Sequence, residues 1–599
     1  MAEGTDKGGR GTRTAPPPGA APMPAPDAAA LLRRNAADPS ISVRPAMRFE
    51  DRVWTHGEYV AESARWARWI STLARDEGRS THVGVLLDNV PEYLFALGGA
   101  ALAHASVVGL NHTRVGDALL RDLTHTDCDV IVTEPRHLPA LAELDLAVPV
   151  VVSHRWDERG ELAGSVDLGS VDLDEAIAGA SGATALDATA DGDPRVDPDA
   201  LWALIFTSGT SGAPKAVICT QRRLLVTGNR MTMLLDLGPD DVGYVCMPLF
   251  HSNALMVGWA PSLVAGASVG LARRFSASRW LDDVRRYGAT WFNYTGKPLS
   301  YLVATPERPD DADNPVKIAF GNEGSDQVIE AFGRRFDVEV LDAFGSTEGA
   351  IGVNRDGELR PGAAGVAGDT IQVVDEHGRF CPPARLDDEG RLLNPDECVG
   401  EIVNTAGSGP FEGYYNNDEA TGKATRDGWY WSGDLGYLDE DRYLYFAGRT
   451  ADWIRVDGEN FPAEPILSAV ASHPDVVVGA VYGVPDVQAG DQVMAAIVLR
   501  EGAAFDGAAF AEFVDGLSGV GPKWRPRYVR VSTGLPTTGT NKVITRTLVH
   551  QKYRRDRIGA DEMWVRDRGA DAYRRFTAAD EAELHGALVD AGRERFWDL

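Results

Sequence analysis

Cysteine is scarce in this chain. Its five cysteines, Cys128, Cys219, Cys246, Cys381 and Cys398, are scattered, odd in number and never form a Cys-x-x-Cys pair. That excludes a disulfide framework and a cysteine-built zinc site, and it fits a reducing cytoplasm. Lysine is scarcer still for its length: eight residues among 599, the rest of the 59 basic side chains being arginine. Basic charge as a whole is in deficit, with 88 acidic residues and a net charge of −29. A chain of this sign has no electrostatic footprint for nucleic acid and no attraction to an anionic membrane. Long apolar runs are missing as well. The most apolar stretch, residues 93–110, is interrupted by Gly98, Gly99 and His104 and follows the strand-like run Val83-Gly84-Val85-Leu86-Leu87. It reads as a buried helix behind a parallel strand, not as a membrane span. The first 35 residues are rich in Gly, Pro and Ala without the apolar core of a secretion signal, and read as a disordered tail.

What is present is the ordinary substance of a large globular protein, with 44% hydrophobic and 25% charged residues. A chain of 599 residues exceeds one ordinary core and implies two or more domains. Between residues 36 and 150, apolar strand-like runs near Val83, at 106–110, 130–133 and 148–152 alternate with helical patterns, the signature of a mostly parallel sheet. A Gly/Ala/Asp-rich connector at 179–199 leads to a second α/β block over 200–370. After Gly400 the strands become shorter and richer in Gly and aromatics, ending near Arg449. A compact α+β pattern follows: 462–473 predicts a helix, 476–482 and 493–499 predict strands. The fold class is α/β, a large multi-layered N-terminal part with mostly parallel sheets and a small α+β C-terminal part. Boundaries fall at 1–35 for the tail, 36–450 for the large domain, 451–555 for the small one and 556–599 for a charged helical extension.

The sharpest motif is Ile205-Phe206-Thr207-Ser208-Gly209-Thr210-Ser211-Gly212-Ala213-Pro214-Lys215. An apolar strand enters a loop of glycines and hydroxyls that ends on one of the few lysines. Glycines let successive N–H groups turn toward one anion, and hydroxyls add donors or reach a metal. This is a phosphate-handling loop, but the Walker pattern Gly-x-x-x-x-Gly-Lys-Ser/Thr is absent. Four further blocks follow in order: Asp342-Ala343-Phe344-Gly345-Ser346-Thr347-Glu348-Gly349, Tyr430-Trp431-Ser432-Gly433-Asp434-Leu435-Gly436, Gly448-Arg449, and Leu535-Pro536-Thr537-Thr538-Gly539-Thr540-Asn541-Lys542.

Taken together, the five blocks resemble the signatures of the ANL superfamily of adenylate-forming enzymes, which comprises acyl-CoA synthetases, nonribosomal adenylation domains and luciferases. The resemblance spans about residues 40–555 and is nearest to actinobacterial acyl-CoA synthetases. It implies ATP, Mg²⁺ and CoA as reactants. Thr207, Ser208, Gly209, Thr210, Ser211 and Lys215 would cradle phosphates. Glu323, Gly324, Asp342, Phe344 and Gly345 would form the adenine side, with Phe344 in place of the commoner Tyr. Thr347 would contact the α-phosphate, and Thr207 with Glu348 would hold the metal. Asp434 would grip both ribose hydroxyls beside Arg449. Lys542 would neutralise the reacting oxygens, and Gly458, in Arg455-Val456-Asp457-Gly458-Glu459-Asn460, would let the pantetheine thiol pass. The family's hinge Asp or Lys is replaced by Ala451, with Asp452 following.

Met247-Pro248-Leu249-Phe250-His251-Ser252-Asn253 resembles the block at the mouth of the acyl pocket. His251 gates that pocket or contacts the substrate, or else it packs in the core, and these readings stand at this point. The leading function is activation of a fatty or aryl carboxylic acid as acyl-AMP and its transfer to CoA. A diazotase would use the same first step on nitrite and pass the nitroso group to an aromatic amine in secondary metabolism. A third reading is loading of a carrier protein. A non-catalytic relative would have lost Lys542, Glu348 or Asp434, and all three are present.

Overall fold

The computed structural model describes residues 22–73, 78–156, 169–180, 196–207, 215–295, 297–322, 324, 326–355, 360, 363–387, 392–449, 453–456, 459–487, 490–517, 520–538, 541–590, 594 and 597. Four sheets organise them. The first has seven strands in the order Val171–Asp172, Val150–Val152, Val130–Thr133, His82–Leu86, Ser106–Gly109, Leu201–Phe206 and Ala216–Thr220. All its pairings are parallel except the last, a hairpin in which Phe206 lies opposite Ala216. Its central strands are buried along their whole length, as a parallel strand covered on both faces must be, which is why they read as unbroken apolar runs.

The second sheet has eight strands in the order Gly352–Asn354, Glu339–Gly345, Ile318–Asn322, Trp291–Thr295, Val242–Val245, Ser268–Leu271, Pro45–Phe49 and Arg52–Thr55, parallel except at its two edges. A five-stranded antiparallel sheet is built from Gly365–Val366, Tyr443–Arg449, Tyr430–Leu438, Gly400–Asn404 and Ile371–Val374. The fourth, seven-stranded sheet begins with Trp453–Val456, so sheet membership changes between Arg449 and Trp453.

The apolar stretch at 93–110 contains a helix, Pro91–Ala103, whose residues from Pro91 to Leu102 are buried. It packs on the helix His56–Ile70, which opens with a capping box between Thr55 and Glu58. Gly98 and Gly99 set how close the two helices come. A Cβ at Gly98 would stand 2.2 Å from Ser63 Oγ, and one at Gly99 would stand 2.6 Å from Trp66 Cβ. The glycines that interrupt the run are therefore contacts of a helix pair. Among the described residues no helix is long and apolar enough to cross a membrane.

Two expectations are corrected at the ends of the chain. The tail assigned to 1–35 reaches too far, because Ala28–Ala37 is a helix with Ala28, Ala29, Leu31 and Leu32 buried. Gln221, itself buried, accepts hydrogen bonds from the N–H groups of Ala28 and Ala29 at 3.0 and 3.2 Å and donates to Ala101 O at 3.1 Å. Asn35 Nδ2 donates to Leu263 O at 3.0 Å. The Ala-rich composition that suggested disorder is here the composition of a helix that packs closely. The extension at 556–599 is likewise not simply helical. Glu562–Val565 pairs antiparallel with Tyr528–Ser532 and Arg574–Arg575 pairs with it in turn, before the helix Ala578–Asp590. Met563 and Val565 alternate into the core and Trp597 packs on Tyr553, so these residues complete the fourth sheet and its core.

Gln221→Ala would leave two buried helix N–H groups without an acceptor, at about 1–3 kcal/mol for each orphaned group. The variant is expected to lose its first thermal transition several degrees below wild type. An unchanged melt would show that the helix Ala28–Ala37 is not anchored through Gln221.

Candidate active site

Two strands, one from each large sheet, deliver the site. Leu201–Phe206 runs into Thr207, whose N–H donates to Lys215 O at 3.0 Å and closes the base of the loop. Ser208, Gly209, Thr210 and Ser211 lie outside the described residues, as do Glu323 and Gly458. Glu339–Gly345 brings in Asp342, Phe344 and Gly345 from the other sheet. Asp342 Oδ2 accepts from Tyr294 Oη at 2.7 Å and from the N–H of Gly324 at 3.0 Å, and Arg355 lies 3.7 Å from Oδ1. Burial, and then the adjoining Asp342 carboxylate, hold the Tyr294 phenol well above its ordinary pKa, so it remains a donor. The ring of Phe344 is half-buried, 5.5 Å from that of Phe446.

Thr347 and Glu348 follow that strand directly. Thr347 Oγ1 shares a hydrogen bond of 2.9 Å with Ser252 Oγ, which ties the phosphate block to the segment after Val242–Val245. Glu348 is 8% exposed, and its Oε1 accepts from Tyr414 Oη at 2.7 Å. The backbone beneath is held by Arg223. This buried guanidinium donates to Ile218 O at 2.8 Å, to Glu348 O at 3.0 Å and to Thr347 O. Lys215 Nζ sits 5.4 Å from the centre of the Tyr414 ring. Arg223 and Tyr414 have site contacts that no motif announced, and Ser252, inside the 247–253 block, is given no role by that motif. The signal for Arg223 was a charged residue on the buried face of the helix Gln221–Leu235, right after its cap Thr220.

Asp434 is buried on Tyr430–Leu438, and its backbone lies opposite Arg449 in the antiparallel register. Its N–H donates to Ser432 Oγ at 3.0 Å. The Arg449 side chain is outside the described residues. Lys542 is exposed in a turn of the fourth-sheet unit, closed by Thr538 N–H to Lys542 O at 2.7 Å, with Asn541 at φ 61°.

His251 is half-buried; its Nδ1 accepts from Asn253 N–H at 3.4 Å and its carbonyl from Leu255 N–H at 3.1 Å. It opens a π-helical turn, Asn253–Trp259, that runs into the helix Ala260–Ala265. Pro261 accounts for the widened register: in an α-helix its ring would meet the carbonyl four residues back, and it has no N–H to offer. Asn253 Nδ2 donates to Tyr294 O at 3.0 Å, and Asn293 Nδ2 donates to Asn253 O at 3.2 Å. Gly258 is required there, since a Cβ would stand 2.7 Å from Asn293 Oδ1. Apolar groups dominate the rest of the turn: Ala254, Leu255, Met256 and Trp259 are buried, and Trp259 stacks on Trp202 at 5.9 Å.

A second polar cluster, Asp88, Glu134 and His137, gathers ligand-type atoms within 4.8 Å of one another. Its charges are already met. Arg273 reaches Glu134 Oε2 at 2.8 Å, Arg136 reaches Asp88, and His137 Nε2 is 3.1 Å from Asp88 Oδ1. Two guanidiniums in the coordination space are poor neighbours for a cation, so the cluster reads as an ion-pair network.

A phosphate-type loop, a Thr-Glu pair held by buried donors and a buried carboxylate on an antiparallel sheet define a nucleotide-using enzyme. The comparisons give the family. Residues 32–415 match the AMP-binding enzyme model, and residues 467–542 match the AMP-binding enzyme C-terminal domain. Steroid-22-oyl-CoA synthetase of Rhodococcus jostii is 46% identical over 557 residues, 92% of this chain and 96% of that protein. Medium/long-chain-fatty-acid–CoA ligase FadD17 of Mycobacterium tuberculosis is 44% identical over 504 residues, 84% of this chain and 92% of the relative. The crystal structure of the anthranilate CoA ligase AuaEII with anthranoyl-AMP superposes with a TM-score of 0.73 at 21% identity, covering 87% of this chain and 96% of that one, and so shares the fold. The chain belongs to the AMP-binding enzyme family, and it is an enzyme of the AMP-forming ligase class.

Arg223→Met keeps the length of the side chain and removes every donor. Three carbonyls, one buried and two partly buried, then lose a charged partner, each such bond contributing roughly 1.5–3 kcal/mol. ATP affinity in a calorimetric titration is expected to fall at least tenfold, with a lower melting temperature. Wild-type ATP affinity in a folded variant would remove Arg223 from the site.

Proposed function

We propose that this chain is an acyl-CoA ligase for a carboxylic acid with a large apolar body, of the medium- to long-chain or steroid side-chain kind. The observation that carries the reading is the Thr347–Glu348 segment, held by Arg223 and Tyr414 between the two large sheets. Its support for the acid is the buried apolar turn at 254–259 together with the relatives acting on fatty and steroid acids.

In the first half-reaction a carboxylate oxygen attacks the α-phosphorus of ATP. The new P–O bond forms as the α–β anhydride bond breaks, and pyrophosphate leaves. In the second, the CoA thiol attacks the acyl carbon, a C–S bond forms, AMP leaves with the shared oxygen, and the thiol proton goes to solvent. Both steps need positioning and charge neutralisation more than covalent help from the protein. Thr347 contacts the α-phosphate, Lys215 faces the phosphates, and Asp434 accepts from the ribose diol beside Arg449. Phe344 stacks on adenine, with Asp342, Gly324 and Gly345 around it. The motifs assign Glu323 to the adenine side as well, Ser208, Gly209, Thr210 and Ser211 to the phosphate cradle, and Gly458 to the thiol's path.

The donor set at Thr207 and Glu348, a hydroxyl and a carboxylate, is oxygen only, which suits Mg²⁺. When bound there, the ion offsets charge on the departing phosphates. Glu348 supplies the negative charge for it, already oriented by the Tyr414 hydroxyl. Lys542 reaches the reacting oxygens only when residues 451–555 close over the large domain, 36–450, so closure precedes adenylation. His251 stands at the start of the acyl-side turn and orients the acid's carboxylate end.

The deciding assay is pyrophosphate release with fatty, steroid side-chain and aryl acids and with nitrite, each with and without CoA or an arylamine. Thioester formation with a fatty or steroid acid is expected. Turnover only with nitrite and an arylamine would replace the reading with a diazotase. Lys542→Ala is expected to lower adenylation at least 100-fold, in line with about 3–4 kcal/mol for one transition-state donor, while ATP affinity stays within threefold. Normal pyrophosphate release by this variant would refute the assignment of Lys542.

A further inference from the structure

The metal carboxylate has a neighbour that none of the motifs names. Tyr414 is 6% exposed and Glu348 is 8% exposed, so the 2.7 Å bond from the phenol to Glu348 Oε1 lies out of water, where an ionised acceptor draws strongly on its donor. The phenol is fixed by its own backbone. Ile218 N–H donates to Gly413 O at 3.0 Å, Tyr415 N–H donates to Ala216 O at 2.8 Å, and Val217 and Tyr414 form an antiparallel bridge. Thr421 Oγ1 accepts from Tyr414 N–H at 2.9 Å, and Phe411 meets the Tyr414 ring edge-on at 4.8 Å. The same ring lies under Lys215 Nζ at 5.4 Å, a cation–π distance. One side chain thus touches both the acid that faces the metal and the lysine that closes the phosphate loop, and it is docked on the strand that leaves that loop.

We propose that Tyr414 is a positioning residue that sets the affinity of Glu348 for the catalytic divalent cation. Its hydroxyl occupies one carboxylate oxygen, which would leave the other oxygen of Glu348 to hold the ion and would limit the carboxylate's rotation. Partners of this kind fix ligand geometry, and their loss costs about 10–100-fold in metal affinity. The inference rests on Glu348 as the metal ligand, and the test separates the two claims.

The test uses the full chain with the α,β-methylene analogue of ATP and follows Mn²⁺ binding by electron paramagnetic resonance. Tyr414→Phe keeps the ring under Lys215 and removes only the donor. It is expected to weaken Mn²⁺ binding about tenfold or more, and at saturating Mg²⁺ to recover most of the adenylation rate. Glu348→Gln is expected to weaken Mn²⁺ binding further, and adding Tyr414→Phe to it should cost nothing more. Thr421→Val disturbs the same segment without touching the hydroxyl and should leave Mn²⁺ affinity within twofold of wild type. Unchanged or tighter Mn²⁺ binding by Tyr414→Phe, while Glu348→Gln is impaired, overturns the proposal. So does a loss in Thr421→Val equal to that in Tyr414→Phe, or a further loss in the double variant. Wild-type Mn²⁺ affinity in Glu348→Gln overturns the metal assignment itself, and this inference with it.

Discussion

A single guanidinium joins the two large sheets where the site is made. Arg223 takes one carbonyl from Ala216–Thr220, the edge of the seven-stranded sheet, and two from the turn after Glu339–Gly345 of the eight-stranded sheet. The Arg223 side chain is buried, so its charge must be met, and the three carbonyls, one buried and two partly buried, must stay where the donors are. Thr347 and Glu348 inherit that fixity through their backbone. Tyr414 and Ser252 then fix the two side chains. The strand leaving the 207–215 loop, the Thr347–Glu348 pair and the turn after Ser252 are thereby referred to one frame, although Arg223 and Thr347 stand 124 positions apart and Ser252 and Thr347 stand 95 apart.

Much of this was legible in the sequence. Parallel strands buried on both faces must be continuous apolar runs, and the runs at 82–86, 106–109, 130–133 and 150–152 are those strands. Of the motif residues, Thr207, Thr347 and Glu348 follow strands directly, whereas Asp342 and Asp434 stand in the middle of theirs. What escaped were the residues that hold the others. Arg223 and Tyr414 act through one hydrogen bond or a few with partners over 60 positions distant, and a single Arg or Tyr in an amphipathic context carries no local periodicity to betray it. The ends of the chain misled for a related reason. Ala28–Ala37 is marginal as an isolated helix and is held by Gln221 and Asn35 contacts that only the tertiary fold supplies. Glu562–Val565 is too short to announce itself as a strand, and it exists because Tyr528–Ser532 offers an edge.

Charge composition sharpens the role of the few lysines. With a net charge of −29, the surface at large repels ATP and CoA. Attraction must therefore come from local groups, and the proposed reading gives that task to Lys215 at the foot of the loop and Lys542 in an exposed turn. Lysine suits both positions because a point charge on a flexible stem can follow an oxygen as charge moves from one atom to the next, whereas the planar Arg223 is used where nothing should move.

The acid is the part of the reaction on which the shared motifs are silent, and the structure gives the physical reason. In the proposed reading the motif residues address an oxyanion, a phosphate, a ribose or adenine, all common to carboxylic acids and nitrite alike. Selectivity then resides in the body of the acid, and the turn at 253–259 is the segment we assign to it. There the register is widened by Pro261, braced by Asn253 and Asn293, and packed by Leu255, Met256 and Trp259. A π-helical turn shifts each following side chain relative to an α-helix, so a small change in this segment re-aims several groups at once. The asparagine ladder is the element that keeps such a turn in one register, since a buried amide that loses its partner costs more than the turn itself gains.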